Sequence, residues 1–399
     1  MAHDLSLGDN KSYSQMIMPM YLPRGCRVEL GTRIKKLLQV PLSIVGRIND
    51  PFLARDIIAG GKADLVDLGR QLIADPYFPR KVADGQIDDI RRCIACNYCH
   101  GKRIRAMKHL HCAINPWAGR EAELREIKPA VVPKKVMIIG GGAAGMEAAR
   151  WLAKRGHRVS LYEKSHRLGG QILLASLPPN KGEINSFLDF LLHQIKKLGV
   201  ETHLNFEVTP EFVLQEKPDA LLVATGGRQI QPGNIPMDSG IKSFYSWQIL
   251  LGQDKTLGQK VVILGGGFAA AETAEFIHRR KLAGEITIVE MREAIAYDME
   301  PIFRQMLIER LEESGVKMVA NFFIQEVTAA EVVGQDVRNN KVRRVPVDTA
   351  VIALGTESVE FPVEAIKKAG IKVLFMGDAR EPNGIAEAVR DGYLAGISI

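Results

Sequence analysis

Short unbroken apolar runs alternate along this chain with stretches in which apolar positions recur every three or four residues, the pattern of buried strands joined by amphipathic helices. The runs Lys135 to Ile139 and Gln259 to Leu264 each lead into a glycine triplet and an alanine-rich stretch, so each predicts a strand, a tight turn and a helix; the first helix is expected from Met146 to Arg155. Val351 to Gly355 reads as a further strand, and Val373 to Met376 is an apolar run before Gly377-Asp378. Nearer the N-terminus, Leu42 to Val45 and Asp64 to Leu68 read as short buried strands, separated by a helical pattern from Asp50 to Ala63 that ends at Gly60-Gly61. Val28 to Leu38 predicts a helix before them, and Asp4 to Leu7 a strand before that. The order strand, helix, strand, helix, strand predicts an α/β chain with parallel sheets. Three parallel strands cannot close a barrel; they leave an apolar face and two unpaired edges, so a second subunit or self-association is expected to cover them.

Composition changes this picture little. At 399 residues the chain is long enough for about two or three domains, and 46% hydrophobic with 25% charged residues is ordinary for a protein with a sizeable core. The net charge of +7 is dispersed, with no long basic run, so no nucleic-acid partner is expected. Asp4, Asp9 and Lys11 interrupt the first residues, where a signal peptide would need an apolar core. No apolar run approaches the roughly 20 residues that span a bilayer. A cytoplasmic protein without a membrane partner is the expectation.

Four of the five cysteines crowd into one segment, Cys93, Cys96, Cys99 and Cys112. Thiolates spaced C-x2-C-x2-C-x12-C call for a soft metal centre, because sulfurs brought to one point repel or oxidise unless a cation shares them. Zinc usually takes two separated C-x2-C pairs, whereas three cysteines in one turn with a distant fourth is the habit of an iron–sulfur cluster. A [4Fe-4S] cluster is therefore favoured over zinc, with disulfides below both and a purely structural metal as a further alternative. Cys26 is isolated and reads as a small buried hydrophobe.

Two stretches carry the dinucleotide fingerprint. Gly140, Gly142 and Gly145, with Ala144 among them, supply G-x-G-x-x-G after the first strand, and Glu163 follows 23 residues after Gly140, where a carboxylate can accept from ribose hydroxyls. The glycines let backbone amides and the helix N-terminus meet a pyrophosphate. Gly265, Gly267 and Ala270 repeat the pattern, with Ala270 in place of the third glycine and Glu290 25 residues after Gly265. Glu290 repels a 2′-phosphate and so favours NADH, while Arg292 keeps NADPH open. Between the cysteines and the first fingerprint, Ile114 to Val132 turns polar and proline-containing, a linker.

On these residues the chain resembles the old yellow enzyme family, multidomain branch, which includes 2,4-dienoyl-CoA reductase and trimethylamine dehydrogenase. The runs Pro41 to Pro51, Lys62 to Arg70 and Ala74-Asp75-Pro76 look like that family's barrel strands seven and eight, and Asn115-Pro116 after the fourth cysteine also matches. The resemblance implies that Gly46, Arg47, Gly69 and Arg70 hold the phosphate of FMN; alternatively, Gly69-Arg70 ends a strand and pairs with a carboxylate. It further implies FAD at the first fingerprint, with Gly170 and Gln171 of Leu168-Gly169-Gly170-Gln171, Thr225 and Gly226 of Ala224-Thr225-Gly226-Gly227, and Gly377-Asp378 completing the site. Asp378 is expected at the ribitol, with a helix from about Ile385 aimed at the flavin. Gly355 is expected where the chain returns from the nicotinamide domain, and Glu272 matches the family's helix glutamate or is an exposed helix residue.

The implied architecture is a barrel remnant at residues 1–90, an iron–sulfur segment and linker at 91–128, an FAD domain at 129–255 returning at 371–399, and an NAD(P)H domain at 256–370. The resemblance begins at the family's sixth strand, so no position here inherits the residues that protonate substrate, and His3 is not promoted to that role. The implied activity is an NAD(P)H:flavin oxidoreductase passing electrons from NADH to FAD to the cluster, and on to FMN, a small molecule or a protein partner. A nucleotide-binding subunit without turnover, or a module holding ADP in place of FAD, is the alternative. Because no cysteine lies beyond Cys112, thiol–disulfide chemistry in the dinucleotide domains is excluded.

Overall fold

The computed structural model describes residues 3–5, 13–101, 107, 109–124, 128–253 and 256–399. They form two compact units: residues 1–173, 183–226 and 358–399 make the first, and residues 174–182 and 227–357 the second.

At the start of the first unit, His3–Leu5, Leu42–Ile44 and Leu65–Val66 pair in parallel as a three-stranded sheet, not a closed barrel. The intervening helix, Pro51–Ala59, begins where the Asp50 carboxylate accepts from the amides of Phe52 at 2.8 Å and Leu53 at 3.3 Å, with proline in the first turn where no amide is needed. Its Ile57 packs on Leu42, Ile44, Ile48 and Ala63. The third strand is shorter than the expected Asp64 to Leu68, because Asp67 and Leu68 already lead into a helix, Gly69–Ala74. Asp4 to Leu7 is a strand over His3–Leu5, and its last two residues lie outside the described ones.

The rest of the first unit is a five-stranded parallel sheet in the order Lys372–Phe375, Ala220–Val223, Lys135–Ile139, Arg158–Tyr162, Glu201–His203. The central strands are buried on both faces, as their continuous apolar runs require. The helix after the first glycine turn spans Ala143–Lys154, starting three residues earlier than the apolar pattern indicates, since the third fingerprint glycine lies inside the helix. The C-terminal helix, Ile385–Ser398, packs on it: a Cβ at Gly392 would lie 2.3 Å from the Ala144 carbonyl oxygen, and the Trp151 and Tyr393 rings meet edge-on at 4.9 Å.

The second unit repeats the plan. Its parallel sheet runs Lys317–Val319, Ala283–Val289, Gly258–Leu264, Thr349–Ile352, Lys242–Tyr245, beside an antiparallel sheet of Phe322–Val327, Glu331–Asp336 and Val342–Pro346. Val262, Leu264, Val289, Phe322 and Val332 form its core. No helix among the described residues is long and apolar enough to cross a membrane.

Candidate functional site

The first glycine turn is tight for local reasons. A Cβ at Gly140, where φ is +103°, would lie 2.1 Å from the Ala224 carbonyl oxygen, and one at Gly145 would lie 1.9 Å from the Gly140 oxygen, so strand and helix touch backbone to backbone. Gly142 differs: no protein atom lies within 4 Å of the Cβ it lacks, and it begins the helix without a side-chain cap. The helix amides there face an open cradle fit for an anion. Glu163, buried at the end of the neighbouring strand, accepts from the Gly141 amide at 2.8 Å and from the Ser165 amide at 2.8 Å. A carboxylate in this place fixes the turn.

The other residues expected at the flavin gather around the same turn. A Cβ at Gly170, in the left-handed region, would lie 3.0 Å from the Gly142 Cα. Gln171 donates from Nε2 to Asp378 Oδ2 at 2.7 Å, which joins two motifs far apart in sequence. Asp378 also accepts from the Asn383 amide at 3.0 Å, and Thr225 donates to the Val359 carbonyl at 2.8 Å beside Gly226. The helix starting at Ile385 has no side-chain cap at Gly384.

The second turn is built alike and finished differently. A Cβ at Gly265 would lie 2.5 Å from the Ala353 carbonyl, Ala270 is fully buried, and Glu290 accepts from the Gly266 amide at 2.6 Å and from the Arg292 amide at 2.8 Å. The Arg292 guanidinium stands 3.8 Å over the Tyr297 ring. At Gly267, however, the missing Cβ would face the Asp298 carboxylate at 3.3 Å, and Asp298 Oδ1 accepts from the Phe268 amide at 2.8 Å. Gly355 accepts from the Ile230 amide at 3.1 Å where the chain leaves this unit. Glu272 is not the exposed helix residue that one reading of the sequence allows: it is buried and accepts from Lys181 Nζ at 2.6 Å. Burial pushes its carboxyl up; the lysine opposes this without cancelling it. Lys181 carries no motif and lies 91 positions away, so the sequence gives no sign of the pair.

The four clustered cysteines are held by a dense frame. The Cys93 amide donates to Gln71 Oε1 at 2.8 Å, the Cys93 carbonyl accepts from Asn49 at 2.7 Å, and Tyr98 donates to Glu387 of the C-terminal helix at 2.9 Å. Ala95 and Asn97 adopt left-handed conformations that curl the chain around Cys96. Burial and then the neighbouring Cys93 push the Cys99 thiol to about 11 and the Cys112 thiol to about 12, and burial with Cys112 also raises Cys96 well above its ordinary value. The sulfurs are thus electrostatic neighbours whose thiolates a cation would stabilise. Among the described residues, no three His, Cys, Asp or Glu side chains converge at metal-binding spacing, so the donor chemistry suits a cluster while the side chains are not gathered as its ligands.

The arginines expected at an FMN phosphate already have partners. Arg47 is buried, donates to the Glu183 carboxylate and the Leu22 carbonyl, and lies 3.4 Å from the Met20 carbonyl. Glu183 also takes Arg24 and, at 2.9 Å, Asn49. Burial pushes the Glu183 carboxyl up, and these donors outweigh it, leaving the group below the usual carboxylate range. Arg70 donates to Asn97 of the cysteine segment, and Gly46 packs against the Arg27 stem. Gly69 is the one of the four with open space around its missing Cβ. These residues therefore do not fit FMN as they stand: a carboxylate has the place that a phosphate would need.

Known proteins resemble the whole chain. The NADH oxidase of Thermoanaerobacter brockii is 37% identical over 98% of this chain and 60% of its own length. The bilirubin reductase of Mediterraneibacter gnavus is 38% identical over 91% of this chain and 56% of its own. A structure of 2-naphthoyl-CoA reductase with 2-naphthoyl-CoA superposes with a TM-score of 0.90 at 29% identity, covering 100% of this chain and 60% of that one. The chain thus spans about 60% of the length of relatives that it matches. Residues 22–89 match the NADH:flavin oxidoreductase / NADH oxidase family, and residues 134–377, more than half of the chain, match the pyridine nucleotide-disulphide oxidoreductase family, to which the chain therefore belongs.

Proposed function

We propose that the chain is the electron-input portion of an NAD(P)H-dependent flavin oxidoreductase of the 2,4-dienoyl-CoA reductase type. FAD would be held by Gly140, Gly142, Ala144, Gly145, Glu163, Gly170, Gln171, Thr225, Gly226, Gly377 and Asp378. NADH would be held by Gly265, Gly267, Ala270, Glu290 and Gly355, and a [4Fe-4S] cluster by Cys93, Cys96, Cys99 and Cys112. The observation that carries this reading is the doubled fingerprint: two glycine turns in one chain, each locked by a buried glutamate accepting from its second glycine's amide. When bound, these groups supply the change from a two-electron hydride to single electrons.

The chain's own residues supply binding and orientation. The uncapped helix at Gly142 offers amides to a pyrophosphate, Glu163 and Glu290 would present carboxylates to ribose hydroxyls, and Glu290 would also repel a 2′-phosphate. Disulfide chemistry of the kind that the family description names is closed to residues 134–377, which contain no cysteine. FMN at Gly46, Arg47, Gly69 and Arg70 is not part of this reading, since Arg47 would have to leave Glu183. The acceptors printed for the relatives differ, bilirubin in one and a naphthoyl-CoA in another, so the final acceptor or a partner protein is left to be found.

The test is to purify the protein without oxygen, release and identify its flavin, and count iron and labile sulfide. FAD, about four irons and steady NADH-dependent ferricyanide reduction are expected. A protein that carries no flavin after reconstitution with FAD sinks the proposal. Cys96→Ala is expected to remove the iron and stop reduction of a one-electron acceptor such as a viologen, while NADH still bleaches the flavin; loss of bleaching too would make the cluster chiefly structural.

A further inference from the structure

The two glycine turns are each followed by the same short return of the chain, and the copies differ in one consequential place. Five residues after its glutamate, each return lays an apolar side chain against the middle glycine: a Cβ at Gly141 would lie 2.3 Å from Leu168, and one at Gly266 2.8 Å from Ile295. One residue on, the amide of Gly169 donates to the Gly141 carbonyl at 2.9 Å, and that of Ala296 to the Gly266 carbonyl at 2.6 Å. Two further on stand Gln171 and Asp298, each eight positions after its glutamate, Glu163 or Glu290. Gln171 turns away from its helix N-terminus to Asp378. Asp298 turns onto its own, accepting from the Phe268 amide at 2.8 Å, with its carboxylate 3.3 Å from the Cβ position of Gly267.

We propose that Asp298 is a gate on the nicotinamide dinucleotide site: its carboxylate sits in the pyrophosphate seat at the start of Phe268–Arg279 and has to swing out before a dinucleotide can enter. This rests on the reading of the second turn as the NAD(P)H site. The physics is a competition between two anions for one set of amides. A carboxylate at a helix N-terminus gains from the unpaired amides and the helix dipole, as a pyrophosphate does. The incoming ligand forfeits that gain, and then meets a negative charge within a few ångströms unless the side chain leaves. Asp298 is exposed and lies on the return segment outside the regular elements, so rotating it outward meets no packed core. The gate thus lowers affinity for every ligand that carries the pyrophosphate and is indifferent to the adenosine end.

Asp298→Asn isolates the charge, because an asparagine oxygen can still accept from the Phe268 amide. The probes are ADP-ribose, which carries the pyrophosphate without a reactive nicotinamide, and adenosine, which carries no phosphate, each titrated calorimetrically into the flavin-loaded protein. The expected result is about a three- to tenfold tighter Kd for ADP-ribose in the variant, with adenosine unchanged. An unchanged or weaker Kd for ADP-ribose overturns the gate and leaves the binding site standing. Equal tightening of both ligands also overturns it, since a general change in the site would do that. Failure of both proteins to bind ADP-ribose, NADH or NADPH removes the site and the gate together. Asp298→Ser, a short neutral cap, replaces the asparagine variant should that misfold.

Discussion

The two glycine-rich turns of this chain are near copies in sequence, and what separates them is the group in front of the helix. At Gly142 the space is open, and at Gly267 a carboxylate fills it. The backbone geometry that makes a pyrophosphate seat is therefore one property, set by glycines within six residues, and the availability of that seat is another. Availability depends on a side chain 31 positions after Gly267, delivered by the return of the neighbouring strand. A fingerprint read alone cannot tell an open site from a guarded one.

The strongest way to break the comparison is to exchange the third fingerprint position. Gly145→Ala puts a methyl 1.9 Å from the Gly140 carbonyl oxygen, so a loss of about 1–3 kcal/mol and of co-purified flavin is expected, read by the melting temperature and the flavin absorbance per protein. Ala270→Gly at the second turn relaxes rather than crowds, and costs about 1 kcal/mol, leaving the flavin in place. Equal damage from both would mean that the turns are not packed as described.

Next come the paired glutamates. Glu163→Ala and Glu290→Ala each leave a buried loop amide without its acceptor, worth about 1–3 kcal/mol at the site concerned. Glu163→Ala is expected to shed FAD. Glu290→Ala is expected to weaken NADH by about tenfold and to lose the discrimination against NADPH, measured by competition of the two nucleotides. If Glu290→Ala leaves the preference intact, that preference comes from elsewhere, with Arg292 the next residue to change.

The smallest effect is a contrast in pH dependence between two buried glutamates, one in each unit. Glu183 has a folded carboxyl held below its ordinary value, because its donors outweigh burial. Its contribution to stability is present above the ordinary carboxylate range and is lost as pH falls through the depressed value. Glu272 has its carboxyl raised by burial, so the folded state binds the proton more tightly; its contribution is present in acid and is lost as pH rises through the raised value. Denaturation followed from about pH 2 to 8 should therefore lose its acid-side fall in Glu183→Gln and its alkaline-side fall in Glu272→Gln. The same residual slope in both variants would show that neither group carries the dependence.

Much of this was legible from residue order, for reasons that can be named. Lys135–Ile139 is a strand where the apolar run ends against a glycine, because burial on both faces and a turn signal are local properties. The C-terminal helix starts at Ile385, where the resemblance places it. The third short strand is only Leu65–Val66, because Asp67 and Leu68 of the expected run form the connection to the helix Gly69–Ala74. Arg47 and Arg70 were placed at a phosphate by resemblance, and their observed partners, Glu183 and Asn97, lie 136 and 27 positions away. No spacing rule links such pairs.

By itself the sequence determined the glycine turns, the absence of cysteines from both dinucleotide folds and the crowding of four thiols in one segment, since each is read from residue order without any tertiary contact. Tertiary structure alone decided which polar groups meet: Lys181 with buried Glu272, Gln171 with Asp378, Arg47 with Glu183, and Asp298 with the amide of Phe268. The physical reason is that a buried or helix-end charge takes whichever partner the packing delivers, and packing is settled by the whole fold, not by neighbours in sequence.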